Sequence, residues 1–269
     1  MPAKLENIDV KRNTKLKKNT VISVCGKGGV GKTCISALLV KLLSEDPSAR
    51  VLAIDADPAV GLSYPLGITV TKTVDDIRND LIKRLDKGIK EGHSEILKSL
   101  DYEIFNAVEE KDNIAFLAIG RPEGDGCYCQ VNRLLKDIIK DIAQNFDYVI
   151  IDAEAGVEQI SRRVMEMVTH LILVSDASLK GRNVTATINS VAKEKCSFEK
   201  SGIIFNRMQD KTESDMVTSL TDIPLIHAMT ETPVIREFDR EGKSFFDLPD
   251  SMDISSLHNA INGFICNKL

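Results

Sequence analysis

No stretch of the 269 residues approaches the ~18 consecutive apolar residues of a membrane-spanning helix, and the first residues lack the apolar core of a signal peptide. A cytoplasmic location is therefore expected, with no membrane partner. Positive charge is also short. Thirty-five Lys plus Arg stand against forty Asp plus Glu, a net −5, so no global field exists to hold a polyanion and nucleic acid is not an expected partner. Cysteine is sparse and scattered, six residues at Cys25, Cys34, Cys127, Cys129, Cys196 and Cys266, which excludes a disulfide framework and predicts reduced thiols. Linkers rich in Pro or Gly, low-complexity tracts and internal repeats are missing too, so one domain is preferred to two.

What is present is an ordinary globular balance, 43% apolar and 28% charged, enough for one large core. Short apolar runs recur at Val21 to Val24, Val51 to Ile54, Ile114 to Ile119, Tyr148 to Ile151, Leu171 to Val174, Gly202 to Phe205 and Ile223 to Ile226. Each reads as a buried strand. Segments of helical period separate most of them, as with Val131, Leu134, Leu135, Ile138 and Ile142. Alternating strands and helices predict an α/β fold, a mainly parallel, doubly wound sheet with helices on both faces. Residues 1–20 read as a flexible basic arm, carrying Lys4, Lys11, Arg12, Lys15, Lys17 and Lys18, and 21–269 as the folded domain. An insertion over about 73–113 is expected to hold two helices, around Ile77, Leu81, Ile82 and Leu85, then Ile96, Leu97 and Leu100. The last segment, from Leu257, places Ile261, Phe264 and Ile265 at helical spacing for core packing, because Lys268 alone supplies the basic charge an interfacial helix uses.

The chemistry-bearing motif follows the first strand. Gly26-Lys27-Gly28-Gly29-Val30-Gly31-Lys32-Thr33 fills every position of the G-x-x-x-x-G-K-[ST] phosphate loop. Successive backbone N–H groups must point inward around a phosphate, which calls for angles that glycine adopts at little cost, and Gly26, Gly28, Gly29 and Gly31 offer them. A helix starting near Thr33 adds its N-terminal dipole, Lys32 a cation for the outer phosphates, and the Thr33 hydroxyl a magnesium ligand.

The generic pattern does not require Lys27. With it, the run resembles the deviant Walker motif of the MinD, ParA and nitrogenase iron-protein class of P-loop ATPases. The resemblance implies a homodimer formed with ATP and Mg2+, in which Lys27 reaches the partner's nucleotide as an arginine finger does, so that hydrolysis to ADP and phosphate depends on dimerisation. Cys34 departs from the class, where many members carry a second Thr, and a hydroxyl that helps hold the inner phosphate is lost from the nucleotide contacts.

Two carboxylates follow predicted strands, at the sheet edge where open α/β folds bind ligands. In Asp55-Ala56-Asp57-Pro58, the resemblance implies that Asp57 positions the attacking water beside the magnesium, and Asp55 reads as a structural acid. Asp152, followed by Gly156, implies the Walker B aspartate and the second switch, with magnesium held through water. Asn206-Arg207 resembles the adenine-recognising Asn of the class, whose amide both donates and accepts, and Pro233 to Glu237 is implied to complete the base pocket.

Cys127 and Cys129 stand one residue apart ahead of a predicted helix. Two thiolates do not complete a tetrahedral site, but the pairs of two subunits meeting on a two-fold axis would. Gly120-Arg121-Pro122-Glu123-Gly124 with Gly126-Cys127-Tyr128-Cys129 resembles the metal loop of CooC-type ATPases, accessory proteins that help insert nickel into carbon monoxide dehydrogenase. The segment Asp152 to Arg162 resembles the second switch of the same subgroup. The resemblance implies Ni2+ at the dimer interface and carbon monoxide dehydrogenase as client; thiolate geometry alone accepts Zn2+ as readily. The other four cysteines read as small apolar fillers or ordinary helix residues. Two alternatives stand beside this reading: a MinD/ParA-like positioning ATPase that uses no metal, and an iron–sulfur electron-transfer ATPase, whose class spaces its ligands over two loops whereas no cysteine closely follows Asp152 here.

Overall fold

A computed structural model describes residues 19–87, 93–121, 129–153, 167–210, 213 and 221–266. The basic arm up to residue 18, Gly124 to Tyr128 with Cys127, and Glu154 and Gly156 lie outside the described residues, as does the side chain of Cys129.

All seven apolar runs form strands. They are β1 (Thr20–Gly26), β2 (Val51–Asp55), β4 (Ile114–Ala118), β5 (Tyr148–Asp152), β6 (His170–Ser175), β7 (Lys200–Met208) and β8 (Leu225–Thr230). An eighth, β3 (Glu109–Lys111), precedes β4. The described strands form one sheet in the order β3-β4-β2-β5-β1-β6-β7-β8. Only β3 runs antiparallel to its neighbour, paired with β4 across a two-residue turn in which Asp112 takes a φ of 55°. The last strand starts two residues later than its apolar run predicts. Pro224 has no N–H to donate to a ladder, so it caps the strand instead, its carbonyl accepting from the Ile203 N–H at 2.8 Å.

Side chains alternate across the sheet with period two and supply two cores. On one face Val21, Cys25, Leu52, Ile54, Leu117, Val149 and Ile151 meet apolar residues of α3 (Val74–Asp86), α4 (His93–Ala107), α5 (Cys129–Ala143) and α6 (Leu179–Lys195). On the other face Ile22, Val24, Val51, Phe116, Ile150 and Ile172 meet α1 (Lys32–Leu43), α2 (Ser63–Leu66), α7 (Pro233–Glu241) and α8 (Met252–Cys266). The sheet is thus parallel but for one edge strand and covered on both faces.

Within 73–113 two helices form as expected, α3 and α4, burying Ile77, Leu81 and Leu100, and β3 completes the segment. Thr73 caps α3 with a reciprocal box: its hydroxyl accepts from the Asp76 N–H at 3.1 Å while the Asp76 carboxylate accepts from the Thr73 N–H at 2.9 Å. The final helix begins at Met252 rather than near Leu257, and Leu257 and Ile261 are fully buried. No helix among the described residues is long and apolar enough to cross a membrane.

Candidate nucleotide site

Five central strands end on the same edge, and the loops leaving them build the site. β1 runs into the loop Gly26 to Thr33, and α1 opens immediately after Gly31. Positive φ occurs at Gly29 (81°) and Gly31 (93°), not at Gly26 or Gly28. Gly26 is required for another reason: a Cβ there would stand 2.2 Å from the Val174 carbonyl oxygen of β6. Gly29 faces open space, with nothing within 4 Å of a Cβ, whereas a Cβ on Gly31 would strike the Asn206 amide nitrogen at 2.4 Å.

Lys32 is buried, and its ammonium donates back to the Lys27 carbonyl at 3.5 Å. The Lys27 side chain leaves the loop and pairs with Asp176, just past β6, at 3.4 Å. Against the upward push of burial, the Ser178 hydroxyl and then this half-exposed contact hold the Asp176 carboxyl below its usual range.

Asp152 ends β5 and is buried. Its Oδ1 accepts from the Ser36 hydroxyl of α1 at 3.0 Å, while its Oδ2 is buried with no hydrogen-bond partner. Burial pushes its carboxyl up to about 6, against the pull of the Thr33 and Ser36 hydroxyls and the Lys32 ammonium. Asp55 lies beside it, in register across β2 and β5. Burial first, then the Asp152 charge, pushes Asp55 up to about 7, although its carboxylate accepts backbone N–H groups from Leu62 at 2.8 Å and Asp57 at 3.0 Å. Asp57 is half-exposed, and its Oδ1 accepts from the Ala59 N–H at 2.9 Å. An orphaned carboxylate oxygen, a threonine hydroxyl and a second carboxylate at a phosphate loop are oxygen donors of the kind a hydrated Mg2+ takes, so these residues fit that ion.

β7 closes the other side. Its register slips between Phe205 and Met208, and Arg207 takes a φ of 61°. This bulge turns two side chains onto the phosphate loop: the Asn206 amide donates to the Val30 carbonyl at 2.9 Å and Arg207 donates to the Gly29 carbonyl at 3.0 Å. Beyond them opens a cavity of about 360 Å³ lined by Cys34, Asn206, Arg207, Met229, Ile235 and Arg236, among others. The cavity thus brings Cys34, Asn206 and Arg207 together with Ile235 and Arg236 of α7, without Pro233, Val234 or Glu237, and Thr230, Glu231, Thr232, Asp239 and Arg240 also line it. Cys34 is only partly exposed, and burial pushes its thiol up to about 12. Cys25 behaves as an apolar filler, fully buried in the core with its thiol also pushed up to about 12.

Sequence reasoning passed over Ser36 and Asp176. Ser36 carried a signal, as a hydroxyl on the otherwise apolar buried face of α1 three residues past Thr33. Asp176 carried one as well, as a third acid directly after a parallel strand.

The stem of the cysteine loop is described, and it adjoins the site. Ile119, just past β4, donates its N–H to the Asp55 carbonyl at 2.8 Å, and its own carbonyl accepts from the Asp75 N–H of α3 at 2.9 Å. Gly120 follows at a φ of 84°, packed so closely on Thr73 that a Cβ would lie 2.6 Å from the hydroxyl. Among the described residues no group of three or more His, Cys, Asp or Glu is placed to hold a metal ion.

A parallel sheet with a complete phosphate loop at its central strand and two buried carboxylates on the adjoining strand ends defines a P-loop nucleotide-binding protein. Comparison with known proteins agrees: the family model described as an AAA domain, AAA_31, matches residues 19–200, and the chain belongs to this family. An uncharacterised ATP-binding protein of Methanocaldococcus jannaschii is 35% identical, over 92% of this chain and 99% of its own length. The carbon monoxide dehydrogenase accessory protein CooC of Rhodospirillum rubrum is 27% identical, over 84% of this chain and 89% of its own. Among solved structures, the septum site-determining protein MinD of Pyrococcus horikoshii, complexed with Mg-ADP, superposes with a TM-score of 0.68 at 23% identity, covering 92% of this chain and 98% of its own. The fold is that of the MinD/ParA P-loop ATPases.

Proposed function

We propose that the protein is a dimerising ATPase that hydrolyses ATP to ADP and phosphate and couples that cycle to binding nickel and inserting it into a client such as carbon monoxide dehydrogenase. The observation that carries the ATPase part is Asp152, a buried carboxylate with one oxygen unpartnered and the other held by Ser36, at the foot of a complete phosphate loop. On this reading the Gly26 to Thr33 backbone and Lys32 bind the phosphates. Thr33, Asp57 and Asp152 hold Mg2+, which neutralises charge on the phosphates when bound. Asp57 orients the attacking water, and Lys27 leaves Asp176 to reach the nucleotide of the partner subunit. Asn206, Arg207, Cys34 and the first turn of α7 receive the base, and Gly156 belongs to the second switch.

The metal part is supported by the spacing of Cys127 and Cys129 and by the relative named as a carbon monoxide dehydrogenase accessory protein. The described stem of the segment that leads to these cysteines is hydrogen-bonded, through the Ile119 N–H, to Asp55 at the end of β2, two residues before Asp57. Each subunit supplies two thiolates and the dimer four, a set that accepts Ni2+ and also Zn2+.

Nickel and zinc stoichiometry on anaerobically reduced protein, with the Cys127→Ala/Cys129→Ala variant beside it, tests the metal part. About one metal per two chains, lost in the variant, is expected from a four-thiolate interface. No tight metal in the wild type, with or without ATP, returns the cysteines to a structural role and favours a positioning ATPase. A brown anaerobic preparation with a charge-transfer band favours an iron–sulfur cluster instead. ATP turnover that rises more than linearly with protein concentration and is lost in Lys27→Ala tests the trans role of that lysine.

A further inference from the structure

Asp55 is the last residue of β2 and is fully buried, with Asp152 in register on one side and Ala118 of β4 on the other. A carboxylate does not belong among parallel strands unless its oxygens are satisfied. Both are: Oδ1 accepts from the Asp57 N–H at 3.0 Å, and Oδ2 from the Leu62 N–H at 2.8 Å. One side chain thus fastens both ends of the loop that carries Asp57.

The loop between these fastenings is strained. The Val60 N–H donates to the Asp57 carbonyl at 3.0 Å, closing a tight turn, and Val60 itself takes a φ of 51°. A β-branched residue in the left-handed region is a genuine outlier, and nothing in the local sequence favours it. The turn is imposed from outside, since Leu62, fully buried, must bring its N–H back to Asp55. The same closure lays Gly61 along Thr33, where a Cβ would sit 3.9 Å from the threonine methyl.

We propose that Asp55 is a positioning residue for hydrolysis: a buried clamp that forces the 57–62 loop into its strained turn and so fixes where Asp57 stands beyond the end of β2. The inference rests on the ATPase reading and deepens it. It assigns Asp55 no contact with nucleotide or water; the clamp acts through Asp57 alone. A carboxylate is needed because an amide has one acceptor oxygen and would set its NH2 against the other N–H.

The test compares wild type, Asp55→Asn and Asp55→Asn/Val60→Asn. Asparagine tolerates the left-handed region, so the second change removes the strain the clamp must hold. Two readouts are taken: Mg-ATP turnover resolved into kcat and KM, and amide hydrogen exchange across residues 57–62. In Asp55→Asn, kcat is expected to fall about tenfold or more with KM within about threefold, and the loop amides to exchange at least about tenfold faster. Val60→Asn in the same chain is expected to restore kcat by about threefold or more, which a purely stabilising role of Asp55 would not allow. A kcat within about twofold of wild type with unchanged exchange overturns the clamp. So does a loss of native protein that Val60→Asn leaves without rescue. If the wild type turns over no ATP, it is the ATPase reading that fails, and the exchange data alone then decide whether Asp55 holds the loop.

Discussion

Gly29 and Gly31 lie two residues apart with similar left-handed backbones, yet their surroundings differ, and alanine at each position separates two costs. Placing an L-residue in the left-handed region costs roughly 1–2 kcal/mol at either position. At Gly29 that is the whole expected loss in the absence of nucleotide, because nothing lies within 4 Å of the new methyl group. At Gly31 the methyl would stand 2.4 Å from the Asn206 amide nitrogen, which must move and release the buried Val30 carbonyl. Leaving that acceptor unpaired adds about 1–3 kcal/mol, so Gly31→Ala should lose about 2–5 kcal/mol against about 1–2 for Gly29→Ala. Equilibrium urea unfolding without nucleotide measures both. The collision is isolated by repeating Gly31→Ala in an Asn206→Ala background, where its cost should shrink to the backbone value, roughly 1–2 kcal/mol. Equal losses for the two single variants, or strict additivity of Gly31→Ala with Asn206→Ala, would refute the reasoning.

The raised carboxyls of Asp55 and Asp152 set a pH dependence. With folded values of about 7 and about 6 against an ordinary 3.8, the folded chain binds more protons than the unfolded chain above pH ~4, so its stability without nucleotide should fall as pH rises from about 4 to about 7. Denaturation midpoints across that range check the sign, and a rise would contradict it. Magnesium ligands bind as carboxylates, so Mg-ATP binding near pH 6 should release protons, measurable as a calorimetric heat that varies with buffer ionisation enthalpy. The Lys27–Asp176 pair is half-exposed, and Asp176→Asn should change unfolding free energy by less than about 1 kcal/mol. Phe116 is fully buried at the centre of one core, and Phe116→Ala should cost about 3–5 kcal/mol by the same urea assay.

The parallel strands were readable because each is buried on both faces and therefore carries a continuous apolar run, as in Val149-Ile150-Ile151. β3 was not, because Glu109-Glu110-Lys111 is a charged edge strand held only by its neighbour and by the turn at Asp112. The phosphate loop was legible residue by residue, since its constraints are local. Even there the reason for Gly26 lay elsewhere, in the carbonyl of Val174 on a strand nearly 150 residues further on. Asp57, Asp152 and Asn206 could be singled out because each stands just past an apolar run. Ser36, Asp176 and the cavity lining from Met229 to Arg240 acquire meaning only when the sheet order sets β5, β6, β7 and β8 around α1. The bulge at Arg207 had no signature in Asn206-Arg207-Met208, because a register slip is a property of the pair of strands rather than of one.

The place of β1 in the sheet bears on how the chain is made. Its two neighbours are β5 and β6, with Thr20 opposite Tyr148 and Ile22 opposite His170, so both of its partners are made long after it. At ribosomal rates of about 5–20 residues per second, this apolar strand and its loop wait on the order of ten seconds for partners to emerge. During that interval it is an unpaired hydrophobic edge, open to aggregation and to chaperones. The nucleotide cradle, whose parts hang on β1, β2, β5 and β7, is therefore among the last features to be completed, and capture of a nucleotide on the nascent chain would report that the central strands have closed.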